Sequence, residues 1–188
     1  MKISFNSPVV LTFAFISLVV LVLSESIFPG FAENYFAMGG TFNPRDPVDY
    51  FRLVSHIFGH GNWEHLISNF SFILVIGPIL EEKYGGRDLI LMIVITAVVT
   101  GILNALFFST GLYGASGIVF MMILLGSLVN FRSGTIPMTF ILILLLYLGR
   151  EIYAAITVND QVSQFAHILG GICGMLFGFG MKGSPKKV

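Results

Sequence analysis

Six apolar runs, separated by short polar stretches, constrain this chain more than any other feature. They lie at about residues 8–27, 63–80, 89–109, 116–131, 136–155 and 163–181. A helix that crosses a bilayer needs about 20 apolar residues, with a range of about 17–25. Composition agrees with that reading. The chain is 55% hydrophobic and only 11% charged, where a soluble domain carries about 25% charged residues. One small core cannot bury this much apolar surface, so the lipid bilayer must be the solvent. The runs predict an all-α polytopic membrane protein, a six-transmembrane-helix bundle forming a single domain over residues 1–188. Only residues 28–62 are long, mixed and polar enough to form an outer loop with structure of its own.

The first run, with Lys2 before it and the small residues Ser24 and Ser26 at its end, has the outline of a signal peptide. It is longer than an ordinary signal core and lacks an Ala-x-Ala site, which favours an uncleaved span. Charge asymmetry sets the expected orientation. With a cytoplasmic N-terminus, inside segments hold Lys2, Lys83, Arg87, Arg132, Lys182, Lys186 and Lys187, and outside segments hold Arg45, Arg52 and Arg150. Both termini are therefore expected to be cytoplasmic, in keeping with an even number of spans. Formal net charge is zero, so nothing points to nucleic acid. Cys173 is the single cysteine. It can form no internal disulfide, and it reads as a small helix-packing residue. The sequence carries no signal for an oligomeric state.

Polar groups inside a membrane are costly and tend to mark function. Gly114-Ala115-Ser116-Gly117 puts one serine where a glycine-flanked loop becomes an apolar helix. The plain structural reading is an N-cap. The chemical reading is a nucleophile, which needs an adjacent base because a serine hydroxyl is weak alone. His167 in the sixth run suits that task near neutral pH. Asp160 is the nearest carboxylate in sequence, seven residues away in the preceding loop, so a Ser–His dyad is favoured over a triad. The alternative for His167 is a hydrogen bond to a neighbouring helix. His167, Gly170, Gly174 and Gly178 share a face, and such a glycine stripe lets another helix approach closely. If that helix is the fourth span, Ser116 and His167 can meet. His65 and Asn69 are spaced i, i+4 on the second span. They read either as interhelical glue or as donors to a developing oxyanion, together with the Ser116 N–H. With the expected orientation, spans two, four and six run in the same direction and place Ser116, His65, Asn69 and His167 in the outer third of the membrane. The fourth span has about sixteen residues, or about 24 Å. That is shorter than a core of about 30 Å, so its N-terminus should lie below the outer surface. Backbone at that depth must line a protein-buried or watery cavity.

Taken together, these residues resemble the rhomboid family of intramembrane serine proteases. His56-x-x-x-His60-x-x-x-x-His65-x-x-x-Asn69 is similar to the family's second-helix signature. Gly114-Ala115-Ser116-Gly117 is similar to its Gly-x-Ser-Gly motif, and Ala166-His167-x-x-Gly170-x-x-x-Gly174 to its sixth-helix motif. Phe51-Arg52 matches an aromatic–Arg pair in the first loop, and Glu81-x-x-x-Gly85 a Glu–Gly pair closing the second span. The resemblance covers about residues 51–179. It implies that Ser116 attacks the scissile carbonyl and that His167 serves as base and then acid. His65, Asn69 and the Ser116 N–H would hold the oxyanion. Gly114, Gly117, Phe120, Gly170 and Gly174 would support the site, Phe120 standing where the family often has a Tyr stacked on the histidine. The fifth span and the loop after it would gate the path of the substrate. The partners implied are transmembrane protein substrates in the lipid bilayer, and the expected location is the bacterial inner membrane. A serine mechanism needs no cofactor and no metal. The competing classes are an inactive rhomboid-like protein that binds membrane clients and a metal- or haem-binding protein using His56, His60 and His65. A small transporter is less well supported, because no inverted repeat or paired broken helices are evident.

Overall fold

The computed structural model describes residues 4–39, 42–109, 111–129, 135–157 and 161–181. Lys2, Arg132, Asp160, Lys182, Lys186 and Lys187, used in the sequence argument, lie outside the described residues. The helices are α1 (Pro8–Ser26), α2 (Phe31–Phe36), α3 (Pro47–Ser55), α4 (Trp63–Tyr84), α5 (Gly86–Phe107), α6 (Ser116–Ser127), α7 (Met138–Thr157) and α8 (Gln161–Gly180). A 3-10 turn, His56–Phe58, follows α3. No β-strand is found among the described residues. Helices α1, α4 and α5 are each long and apolar enough to cross a membrane. Large apolar side chains stand outward along the bundle, with Leu106, Val75 and Leu146 more than two-thirds exposed. That surface is tenable only in lipid, and the chain is an integral membrane protein.

Local chemistry sets the helix ends. Asp46 caps α3 by accepting the Val48 N–H at 2.9 Å, and Asn62 caps α4 by accepting the His65 N–H at 2.8 Å. Helix α4 runs four residues beyond the apolar run at 63–80. Glu81, Glu82 and Lys83 end the hydropathy without ending the helix, which stops at Gly85 with φ 85°. A left-handed backbone is open to glycine at little cost, and α5 begins at the next residue. The Glu81 carboxylate reaches back to the start of α1. It accepts the Ser7 hydroxyl at 2.6 Å and the N–H groups of Val9 and Val10 at 3.1 and 3.2 Å. These are unpaired donors at a positive helix end, so one α4 side chain both caps and anchors α1.

The predicted outer loop has the structure expected of it, with α2, α3 and the 3-10 turn within residues 28–62. Arg52 binds Asp49 at 2.8 Å and donates to the Asn34 carbonyl, which ties α3 to α2. Helix α6 forms the centre of the bundle. It is buried on most of its surface from Gly117 to Leu125, and its most extensive neighbour is α8. At twelve residues it spans about 18 Å, shorter than the sequence suggested.

Candidate active site

The site is built on the contact of α6 with α8. A Cβ on Gly170 would lie 2.0 Å from the Gly117 carbonyl oxygen, and one on Gly174 would lie 2.3 Å from that of Met121. The two backbones touch, and only glycine permits it. A Cβ on Gly117 would in turn meet the Ala166 carbonyl at 3.4 Å. Gly117 therefore sits between Ala166 and Gly170, the residues that flank His167 on α8. The Phe120 ring lies on the His167 ring, centroid to centroid 4.3 Å at 40°. Tyr147 and Arg150 of α7 cover the same Phe120 ring, at 4.7 and 5.9 Å. Arg150 is thus an exposed residue of α7 whose guanidinium lies over the Phe120 ring. A cation over an aromatic face is favourable and tolerable where water is scarce.

Ser116 is the first residue of α6. The N-cap position belongs to Ala115, and no side chain caps the helix. The plain N-cap reading of Ser116 therefore fails, and its half-buried hydroxyl is not engaged in ending the helix. The loop before it is held by the segment 28–62. Met38 and Leu112 form an antiparallel bridge with two bonds of 2.8 Å. The Gly114 N–H donates to the His56 carbonyl at 2.9 Å. The Ala115 N–H donates to His60 Nε2 at 3.4 Å. Tyr113 lies against Gly59 and Gly61. Gly114 has φ 126°, and a Cβ there would strike the His65 ring at 2.6 Å. The His65 ring is therefore packed directly on the backbone that leads to the serine.

Asn69 is buried, and its amide meets His60 Nε2 at 3.2 Å. His60 Nδ1 faces the Phe58 carbonyl at 3.2 Å and must donate to it. Nε2 is then an acceptor for the Ala115 N–H and the Asn69 amide, which makes His60 a neutral imidazole of one tautomer. Burial, and then the neighbouring His65, push its pKa down to about 4. His56 is fully buried and also lowered to about 4, chiefly by desolvation. Its Nδ1 donates to the Arg52 carbonyl at 3.1 Å, and its Nε2 meets the Thr100 hydroxyl at 3.3 Å. Both rings spend their nitrogens on the scaffold. Among the described residues no group of three His, Cys, Asp or Glu is placed to hold a metal ion. Beside Ser116 lies a cavity of about 10 Å³ lined by His56, Thr100, Gly114, Gly117 and Ala166, with room for about one water.

A family model described as the rhomboid domain matches residues 47–184. This chain belongs to the rhomboid family. Among its curated relatives is rhomboid protease GlpG of Haemophilus influenzae, 24% identical over 131 residues, 68% of each chain. GlpG of Yersinia enterocolitica is 23% identical over 179 residues, 92% of this chain and 62% of that one. GlpG of Yersinia pestis (strain Pestoides F) is 25% identical over 142 residues, 73% of this chain and 50% of that one. The chain thus spans half to about two-thirds of the length of these relatives.

Within this rhomboid chain the sequence-predicted residues come together in two groups. Gly117, Phe120, His167, Gly170 and Gly174 meet across α6 and α8, with Ser116 next to Gly117 at the start of α6. His65, Asn69 and Gly114 meet at the start of α4. Sequence reasoning missed His60 as the shared acceptor, the Met38–Leu112 bridge, Tyr113, and the Tyr147–Arg150 cover. Arg150 did carry a signal, as an ionisable residue inside an apolar run. The bridge carried none, since Met38 and Leu112 are ordinary apolar residues far apart in sequence.

Proposed function

We propose that this chain is an intramembrane serine endopeptidase that cleaves transmembrane or membrane-adjacent segments near the outer membrane face. In this reading six helices span the bilayer, both termini are cytoplasmic, and the membrane is the bacterial inner membrane. The observation that best supports the proposal is the glycine contact between α6 and α8, where Gly170 abuts Gly117, the residue after Ser116, and the Phe120 ring lies on His167. Ser116 Oγ gives its proton to His167 and attacks the scissile carbonyl. The imidazolium then protonates the leaving amine, and an acyl-enzyme remains on Ser116. A water molecule, deprotonated by His167, hydrolyses that ester and restores the serine.

The negative oxygen of each tetrahedral intermediate needs donors fixed in advance. One Asn69 amide hydrogen is spent on His60, which leaves the second for the oxyanion. The Ser116 N–H belongs to the first turn of α6, where helix donors have no intrahelical acceptor. His65, packed on Gly114, supplies the third donor. His60 positions two of these groups by accepting from both Asn69 and Ala115. Helix α7 serves as the gate, because Tyr147 and Arg150 close over Phe120.

The test uses purified protein in proteoliposomes with a fluorescent transmembrane substrate. Wild type is expected to cleave, and Ser116→Ala and His167→Ala are expected to abolish cleavage while remaining folded. Equal cleavage by wild type and Ser116→Ala would refute the mechanism.

A further inference from the structure

We propose that this chain holds one anionic phospholipid in a groove between α1 and α5, with an acyl chain in the groove and the headgroup phosphate on Arg87. The groove is a cavity of about 360 Å³ between α1, α5 and the 3-10 turn. That is within the range of cavities that hold small ligands, about 300–1,000 Å³. Thr12 and Ile16 of α1 form one wall, Ile90 and Val94 of α5 the other, and Ile57 and Phe58 the floor. The lining is almost wholly carbon. Ile16 and Ile90 are also exposed on the outer surface of the two spanning helices, so the groove opens sideways to lipid. The occupant that such an opening admits is a hydrocarbon chain from the bilayer.

The charge at one end selects the lipid. Arg87 is exposed and lies three residues before Ile90 and seven before Val94, on the same stripe of α5. No ion pair involves it among the described residues. Asp88 falls about 100° further round the helix, off that stripe. A free guanidinium one turn above an apolar groove matches a phosphate ester joined to an acyl chain. The lipid would come from the leaflet at the α4–α5 turn. Its chain would end against Phe58, which packs edge-on to Phe13 at 5.1 Å.

The experiment reads binding and needs no protease activity, so it stands apart from the proposed function. Full-length protein in mild detergent is titrated with phosphatidylglycerol or phosphatidylcholine, and bound lipid is counted by native mass spectrometry. A one-lipid species is expected with phosphatidylglycerol at about fivefold lower concentration than with phosphatidylcholine, the preference one basic side chain can give. Arg87→Gln should remove that preference and Arg87→Lys should keep most of it. Thr12→Trp starts from an exposed position and fills the groove, so it should lose the bound species for both lipids. Equal retention of the two lipids by wild type would overturn the proposal. So would unchanged retention in Arg87→Gln or in Thr12→Trp.

Discussion

Gly170→Ala tests the site at its narrowest point. The added methyl carbon would lie 2.0 Å from the Gly117 oxygen, 2.8 Å from its carbonyl carbon and 3.0 Å from its Cα. All three are backbone atoms, so no side-chain rotation relieves the clash. Recovering an ordinary contact of 3.4 Å requires α6 and α8 to part by about 1.4 Å, in an interior packed too densely to absorb it elsewhere. Overpacking of this kind costs about 1–3 kcal/mol of stability. The expected loss of activity is larger in proportion, because a misplacement of about 1 Å at reacting groups can cost about 100-fold. Gly180→Ala on the same helix is the control, since a Cβ there meets nothing within 4 Å. It should leave cleavage unchanged and add up to about 1 kcal/mol from helix propensity. The assay is kcat for a transmembrane substrate in proteoliposomes, with thermal unfolding of the same samples to give the folded fraction. Folded Gly170→Ala within about threefold of the wild-type kcat would refute the argument. An equal loss in Gly180→Ala would trace the effect to glycine itself and not to the contact.

Glu81→Ala removes three hydrogen bonds to a carboxylate. It should destabilise the protein by about 2–4 kcal/mol in thermal unfolding, and an unchanged midpoint would deny the anchoring of α1. His56 and His60 have folded pKa values near 4 against an ordinary 6.5. The unfolded chain therefore binds protons first, and stability should be full above pH 6.5 and fall as pH drops towards 4. Between pH 6.5 and 5 each should cost at most about 2 kcal/mol. The midpoint in His56→Gln/His60→Gln should depend less on pH over that range, and an equally steep dependence would count against both histidines. Asn69→Ala should slow cleavage by about 100- to 1000-fold while leaving more activity than Ser116→Ala. Loss as complete as that of Ser116→Ala would mean that Asn69 does more than donate one bond.

The features legible in the sequence were those with a local spacing. Gly170 and Gly174 announced a close helix contact through their period, and His65 with Asn69 announced a shared face. Both appear in the structure as described. The helix ends were less legible. Hydropathy falls at Glu81, whereas the helix ends three residues later at Tyr84, before Gly85 with its positive φ. The scaffold of the serine loop was not legible. It rests on bonds between residues far apart in sequence, such as Ala115 with His60, which leave no periodic trace. Arg150 was legible as an ionisable residue inside an apolar run, but the Phe120 ring beneath it was not.

The order in which the parts of the site occur along the chain has a consequence for its synthesis. The loop that holds Ser116 is braced by Met38, His56 and His60, all of which precede it. A ribosome that has delivered α6 has therefore already delivered every brace described here for the nucleophile. His167 arrives only with α8, the last of the described helices, whose glycines also pack against α6. Until then the nascent protein carries a prepared serine without its proposed base. If the proposed activity holds, such a chain would stay silent towards its neighbours in the membrane, and towards itself, until α8 is in place.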